Sequence, residues 1–256
     1  MFILLILFIP IANTPDGFNI NHECGSTSPG QLQKAVLAEK ADLGIALDGD
    51  GDRVVLVDHR GELVDGDQML YIIATSRLAS GRLHGGVVGT LMSNLGLEQA
   101  LIAQKIPFRR ANVGDRYVMA MLQQEGWEVG GETSGHLLCL DKSTTGDGIV
   151  AALEVLAVVC QSGKTLAELK AGMQIFPQTM INVRMSKRFD LKASAPVQKA
   201  LGEVEAELAA NGRVVLRASG TEPVVRVMIE GRDPALVARL GQQLADTVKR
   251  AAEEAA

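Results

Sequence analysis

The stretch GIALDGDGDR, residues 44–53, places Asp48, Asp50 and Asp52 within five positions with glycine between them. Carboxylates ~4 Å apart at an effective dielectric near 20 repel by ~4 kcal/mol per pair. Glycine at 49 and 51 lets the backbone fold so that the three side chains converge, and carboxylate oxygens suit a hard cation such as magnesium. An EF-hand also begins D-x-D-x-D, but its sixth position must be glycine and its twelfth a bidentate glutamate. Those positions hold Arg53 and His59, which excludes it. A surface acidic turn is the plainer alternative. Arg53 either compensates charge or holds an anion that the metal also touches, which suggests phosphate.

Three further stretches offer polar groups at close spacing. In GGETSGH, residues 130–136, glycines flank Glu132 and Ser134, so acceptor, hydroxyl and the His136 imidazole face a space rather than a core. The set suits the hydroxyls of a sugar or polyol; taken alone, an ordinary glycine-rich turn accounts for it somewhat better. In RASGTEPVVR, residues 217–226, Arg217 and Arg226 bracket Ser219, Gly220 and Thr221. Guanidinium forks, hydroxyls and a glycine-opened N–H suit a tetrahedral phosphate, with an exposed hairpin as the alternative. VGDRYV, residues 113–118, adds Asp115 and Arg116, or else Asp115 simply caps a helix.

The elements that must position these loops are legible from periodicity and punctuation. Ser28, Pro29 and Gln31 read as N-cap, first-turn proline and capping-box partner of a helix over about 29–40, with Leu32, Ala35 and Val36 on its apolar face. LGIAL and RVVLV are short strands on either side of the aspartate loop. From Gly66 helices alternate with short β-rich runs as far as DGIVAALEVLAVVCQ. That order predicts crossover connections and a mostly parallel sheet covered on both faces. The remainder reads β-α-β-β-α, its last two strands separated only by GTEP and so antiparallel. The fold class is therefore α/β in three parts: a partial domain over 1–65 carrying the metal loop, a complete α/β domain over 66–176 carrying the sugar loop, and an α+β domain over 177–256 carrying the phosphate loop.

Composition bounds the partners. The 256 residues are 47% hydrophobic and 21% charged, enough for one large domain or two to three smaller ones. The formal charge of -5 is mixed along the chain, so nothing favours nucleic acid. Cys24, Cys139 and Cys160 form no C-x-x-C pair and fit a reducing, cytoplasmic compartment; their apolar neighbours predict three buried thiols. The apolar run from Phe2 to Ala12 is shorter than a membrane span and lacks the basic start of a signal peptide. It reads as a buried strand or as a start foreign to an intact domain, and no membrane partner is expected.

A cation loop, a hydroxyl-reading loop and a phosphate loop on separate parts make joint sense for a sugar phosphate gripped at both ends. DGDGDR, GETSGH and RASGTEP, in this order and spacing, resemble the α-D-phosphohexomutase superfamily over about residues 12–250. TLMSNLGLEQAL, IPFRRANVGDRYV and TTGDGIVAALEVLA look specifically like its branch that interconverts glucosamine 6-phosphate and glucosamine 1-phosphate. The resemblance implies Mg2+ on Asp48, Asp50 and Asp52 and Arg53 near the reacting phosphate. It implies sugar contacts from Glu132, Ser134 and His136, and a phosphate grip from Arg217, Ser219, Gly220, Thr221 and Arg226. It also implies a phosphoserine donor in a preceding domain, of the type T-A-S-H-N-P, a motif absent from these 256 residues. The expectation is thus a fragment that turns over nothing alone, with the missing domain supplied by another chain if it acts at all. The branches acting on mannose or glucose phosphates and a non-catalytic sugar-phosphate-binding protein are the alternatives, and Thr133 in the x slot of G-E-x-S-G-H does not decide between them.

Overall fold

The structure, a computed structural model, describes residues 7–185, 190–219 and 222–254. The chain packs as two compact units. The first comprises 1–93 and 100–173, the second 94–99 and 174–256.

The first unit begins with α1 (Gly30–Glu39) lying on the hairpin β1 (Leu43–Leu47) and β2 (Val54–Asp58), whose antiparallel register pairs Leu47 with Val54 across the aspartate loop. Leu32 and Val36 of α1 bury against Ala46 and Val57. β3 (Leu63–Val64) closes this three-stranded sheet in the order β1-β2-β3. Next comes α2 (Gly66–Ala79), buried from Gly66 through Ala74 with an apolar run over 69–74, as expected of a helix walled in on several sides. A second sheet runs β5 (Phe108–Ala111), β4 (Val87–Thr90), β6 (Val129–Gly131), β7 (Leu137–Cys139) in spatial order. β4 is parallel to β5 and β6, while β7 returns antiparallel to β6. All four residues of β4 are buried, which requires cover on both faces. Val88 packs on Val118 and Leu122 of α4 (Asp115–Glu125), the crossover helix between β5 and β6. The unit ends in α5 (Gly148–Ser162) and the short α6 (Leu166–Lys170).

The second unit is one antiparallel sheet, β8 (Gln178–Arg184), β10 (Val224–Gly231), β9 (Gly212–Ala218), with β10 central. Its apolar face, with Val225, Val227 and Ile229, packs on Val197 and Val204 of α7 (Ala195–Leu208) and on Leu240, Leu244 and Val248 of α8 (Pro234–Glu254). The first turn of α3 (Leu95–Ala103), the crossover between β4 and β5, belongs here by packing. Its Leu95 N–H donates to Glu230 at 2.9 Å, and Asn94 exchanges hydrogen bonds of 3.0 Å with the backbone of Phe176.

The mixed α/β class, the crossover order and the final β-α-β-β-α order are as the sequence predicts. Four details differ. Ser28 does not cap α1: its N–H is taken by Gly25 in a turn, Pro29 sits at the cap position, and no side-chain cap forms. Residues 2–6 of the apolar start lie outside the described residues, and 7–12 form no strand, with Leu7 and Phe8 exposed. Of the three thiols only Cys139 is buried; Cys24 is half-buried and Cys160 exposed. α6 went unforeseen, being a single turn closed by a capping box of Thr165 and Glu168. No helix among the described residues is long and apolar enough to cross a membrane.

Candidate functional site

The aspartate loop is the β1–β2 connection, and its shape follows from local hydrogen bonding. Asp48 Oδ1 accepts from the N–H groups of Gly51 and Arg53, at 3.1 and 3.2 Å, folding the chain back on itself. Gly51 takes a φ of +75°, which an L side chain resists. The carbonyl of Gly51 accepts the N–H of Gly148 at 2.9 Å, and a Cβ at 148 would lie 2.9 Å from the carbonyls of both Gly51 and Arg53. The start of α5, capped by Asp147 on the N–H groups of Ile149 and Val150, therefore buttresses the loop.

One oxygen from each of Asp48, Asp50 and Asp52 lies within 4.8 Å of the others. Oxygens on opposite sides of a magnesium ion lie about 4 Å apart, so a small closure brings these to bonding distance. Asp48 Oδ2 is buried and accepts no hydrogen bond among the described residues, although Arg53 Nε stands 2.8 Å away. Arg53 Nε also donates to Asp52 Oδ1 at 3.3 Å, and the guanidinium is 42% exposed, free to meet a further anion. Burial by itself would raise the Asp52 carboxyl, but its contacts with Asp48, Arg53 and His136 hold it below the ordinary value. Burial likewise disfavours the Arg53 charge, yet the surrounding aspartates keep it protonated. Three carboxylates against one guanidinium leave two negative charges, the complement of a divalent cation. The donor set fits magnesium.

The GETSGH loop follows β6, at the carboxyl end of the parallel strands where α/β sheets form their binding crevices. Its last residue joins the metal loop: His136 Nδ1 lies 3.0 Å from Asp52 Oδ2. His136 is buried, 7% exposed as a residue, and its imidazole lies over Gly146, where a Cβ would sit 2.2 Å from the ring. Glu132 is half-buried. It accepts from the N–H of Gly114 at 2.9 Å and from the Ser134 hydroxyl at 3.3 Å, and Ser134 is exposed. The loop after β5 is thereby tied to the loop after β6. Asp115 is not the cap of α4; Gly114 holds that position at φ +125°, without a side-chain cap. Asp115 accepts from the N–H of Arg116, whose guanidinium stacks 4.6 Å from the Tyr117 ring centroid and donates to its hydroxyl.

The phosphate-loop residues lie on the second unit. Arg217 of β9 pairs directly with Arg226 of β10, and Asn182 of β8 pairs with Arg226, so the three share one face in a row. Neither arginine pairs with a carboxylate among the described residues, and like charges directly opposite are destabilising until an anion joins them. Ser219 is buried, its N–H on the Val224 carbonyl at 2.7 Å and its hydroxyl accepting from Glu222. Gly220 and Thr221 lie outside the described residues.

The sequence reading missed the supports. Gly148 and Asp147 buttress the aspartate loop, Gly148 bonding to Gly51 from 97 residues away, and their one signal is a G-D-G step into an apolar helix. Gly114 presents its N–H to Glu132, and Asp67 binds Thr133 Oγ1 at 2.7 Å.

Residues 65–176 match the alpha/beta/alpha domain III, and residues 180–247 the C-terminal domain, of phosphoglucomutase/phosphomannomutase proteins. The chain belongs to this family, the phosphohexomutases. Phosphoglucosamine mutase of Methylococcus capsulatus is 59% identical over 237 residues, covering 93% of this chain and 53% of the relative. Those of Alcanivorax borkumensis and Legionella pneumophila are 57% and 54% identical, covering 95% and 94% of this chain and 55% and 53% of theirs. The chain thus spans about half the length of the curated relatives it matches. Among solved structures, Aspergillus fumigatus N-acetylphosphoglucosamine mutase, in complex with GlcNAc-6P and magnesium, superposes with a TM-score of 0.73 at 24% identity, covering 91% of this chain and 54% of that one. This likeness shows the fold.

Proposed function

We propose that this chain supplies the metal loop, the sugar-reading loop and the phosphate grip of a cytoplasmic phosphohexomutase that interconverts glucosamine 6-phosphate and glucosamine 1-phosphate. In this reading residues 1–65, 66–176 and 177–256 are a partial second, a third and a fourth domain of such an enzyme. One observation carries it: Asp48, Asp50 and Asp52 each bring a carboxylate oxygen within 4.8 Å of the others, and Asp48 Oδ2 is buried and accepts no hydrogen bond among the described residues. The relatives named phosphoglucosamine mutase and the fungal neighbour's GlcNAc-6P and magnesium complex support the same choice of ligands.

Asp48, Asp50 and Asp52 would hold the ion. Bound there, Mg2+ supplies positive charge that offsets what develops on a phosphoryl group in transfer. Arg53, exposed beside the triad, orients that phosphoryl group through its fork. His136 fixes the rotamer of Asp52, and Gly148 holds the loop backbone, so the ligands are set before substrate arrives. Glu132 accepts a hydrogen bond from a hydroxyl or ammonium group of the sugar, Ser134 offers a hydroxyl beside it, and Asp115 and Arg116 border the same loop. Arg217, Arg226 and Ser219, with Gly220 and Thr221, take the phosphate that is not transferred. The phosphoryl donor is a phosphoserine that these residues do not include, so the chain alone turns over nothing.

A coupled assay for glucosamine 1-phosphate formation, given glucosamine 6-phosphate, its 1,6-bisphosphate and Mg2+, tests this. The purified chain is expected to show none, and activity to appear when the amino-terminal half of the Methylococcus relative is added. Turnover by the chain alone would contradict the phosphoserine requirement. Failure of calorimetry to detect Mg2+-dependent sugar phosphate binding would sink the assignment.

A further inference from the structure

The start of α2 lies against the GETSGH loop and touches it at several points. Asp65 caps the helix and accepts from the Gln68 N–H at 2.9 Å, so the cap is already satisfied. Two residues on, Asp67 is fully buried, and burying a second carboxylate beside the first is costly. Its Oδ2 accepts the hydroxyl of Thr133 at 2.7 Å. Between them, the N–H of Gly66 donates to the Thr133 carbonyl at 3.0 Å, and a Cβ at 66 would lie 1.9 Å from the Glu132 carbonyl oxygen. From the other side, the Gly135 carbonyl accepts the N–H of Val54 at 3.2 Å, and a Cβ on Gly135 would meet Val54 O at 1.9 Å. The loop is pinned at both ends. Thr133 turns toward α2 and Ser134 toward solvent.

We propose that Asp67 is a positioning residue for the sugar-reading loop, acting through Thr133, and that position 133 anchors the loop rather than reading the sugar. The assignment of the loop to sugar rests on the function proposed above. A hydrogen bond to a buried carboxylate is among the stronger kinds, so its loss frees the loop while leaving the metal triad intact.

The test compares the chain with its Thr133→Val, Thr133→Ser and Asp67→Ala variants. Thr133→Val keeps the shape and leaves α2 untouched, so it decides the matter even if Asp67→Ala does not fold. Amide hydrogen exchange at residues 132–135, measured without ligand, should quicken about tenfold or more in Thr133→Val and return to the parent rate in Thr133→Ser. Calorimetry with glucosamine 6-phosphate at saturating Mg2+ should show about tenfold weaker binding for Thr133→Val and parent-like binding for Thr133→Ser, with Mg2+ affinity unchanged throughout. Unchanged exchange in Thr133→Val, or a serine variant no better than valine, overturns the proposal. If the parent chain binds no glucosamine 6-phosphate, the sugar reading fails, while the exchange result still decides the anchor.

Discussion

Replacing Asp65 by asparagine should stabilise this protein at neutral pH. Burial first, and the charge of Asp67 second, push the Asp65 carboxyl up to about 6, while the N–H groups of Gln68 and Asp67 and the charge of Lys170 pull it down. A rise from 3.8 to about 6 corresponds to about 3 kcal/mol of native-state destabilisation whenever the group is ionised in both states. Asparagine keeps the side-chain oxygen that accepts from Gln68 and is an equally good cap. What it loses is the attraction of a full charge to the helix N-terminus, about 0.3–1 kcal/mol. The burial effect is the larger, so a net gain of about 2 kcal/mol is expected above pH 6. Because the folded-state value is raised, the native state binds the proton more tightly, and the penalty shrinks as pH falls through 6 and is gone below 3.8. The advantage of Asp65→Asn over the parent should therefore be full at pH 7.5 and near zero at pH 3.5. Trp127 is the chain's one tryptophan and lies in the first unit, so denaturant unfolding followed by its fluorescence reads the relevant unit. A variant less stable than the parent at pH 7.5, or an advantage independent of pH, would show that burial does not penalise the Asp65 charge.

Two further outcomes follow from groups outside the site. Arg77, 5% exposed, joins Asp141 at 2.9 Å to Glu154 at 2.7 Å, so Arg77→Met should cost about 3 kcal/mol by leaving two carboxylates uncompensated; a loss under about 1 kcal/mol in the same fluorescence assay would contradict this. Cys139 has its thiol pushed up to about 12 by burial, with the charges of Glu154 and Asp141 assisting and that of Arg77 opposing, whereas Cys160 is exposed. A disulfide-exchange reagent at pH 8 should label Cys160 at once and Cys139 only after unfolding, and prompt labelling of Cys139 would show the sheet edge at β7 to be open.

Much of this was legible in the sequence because glycine and aspartate punctuate it. The alternation of aspartate and glycine at 48–52 exposes the candidate cation loop directly, and the antiparallel strands read on either side of GTEP are those on which the structure sets Arg217 opposite Arg226. Position along a helix was harder to read. Cys160 has apolar sequence neighbours, but successive helical side chains point about 100° apart, so those neighbours say little about its own face. Ser28 has the residue type and spacing of a cap, yet its N–H serves the preceding turn and the helix frame starts later. Long-range supports leave no local trace: Asp67 and Thr133 are 66 residues apart, and nothing near either one announces the other.

Whether Asp48, Asp50 and Asp52 hold a divalent cation is best tested at Asp50. Asp50 is the exposed member of the triad, so Asp50→Asn removes a ligand charge without disturbing the hydrogen bonds that Asp48 accepts from Gly51 and Arg53. The measurement is a Mg2+ titration followed through backbone amide shifts. Saturable shifts are expected at Gly49, Gly51 and Arg53, reaching His136, and they should be lost in Asp50→Asn. Shifts that never saturate, or an Asp50→Asn variant that binds Mg2+ as tightly as the parent, would contradict cation binding by these three aspartates.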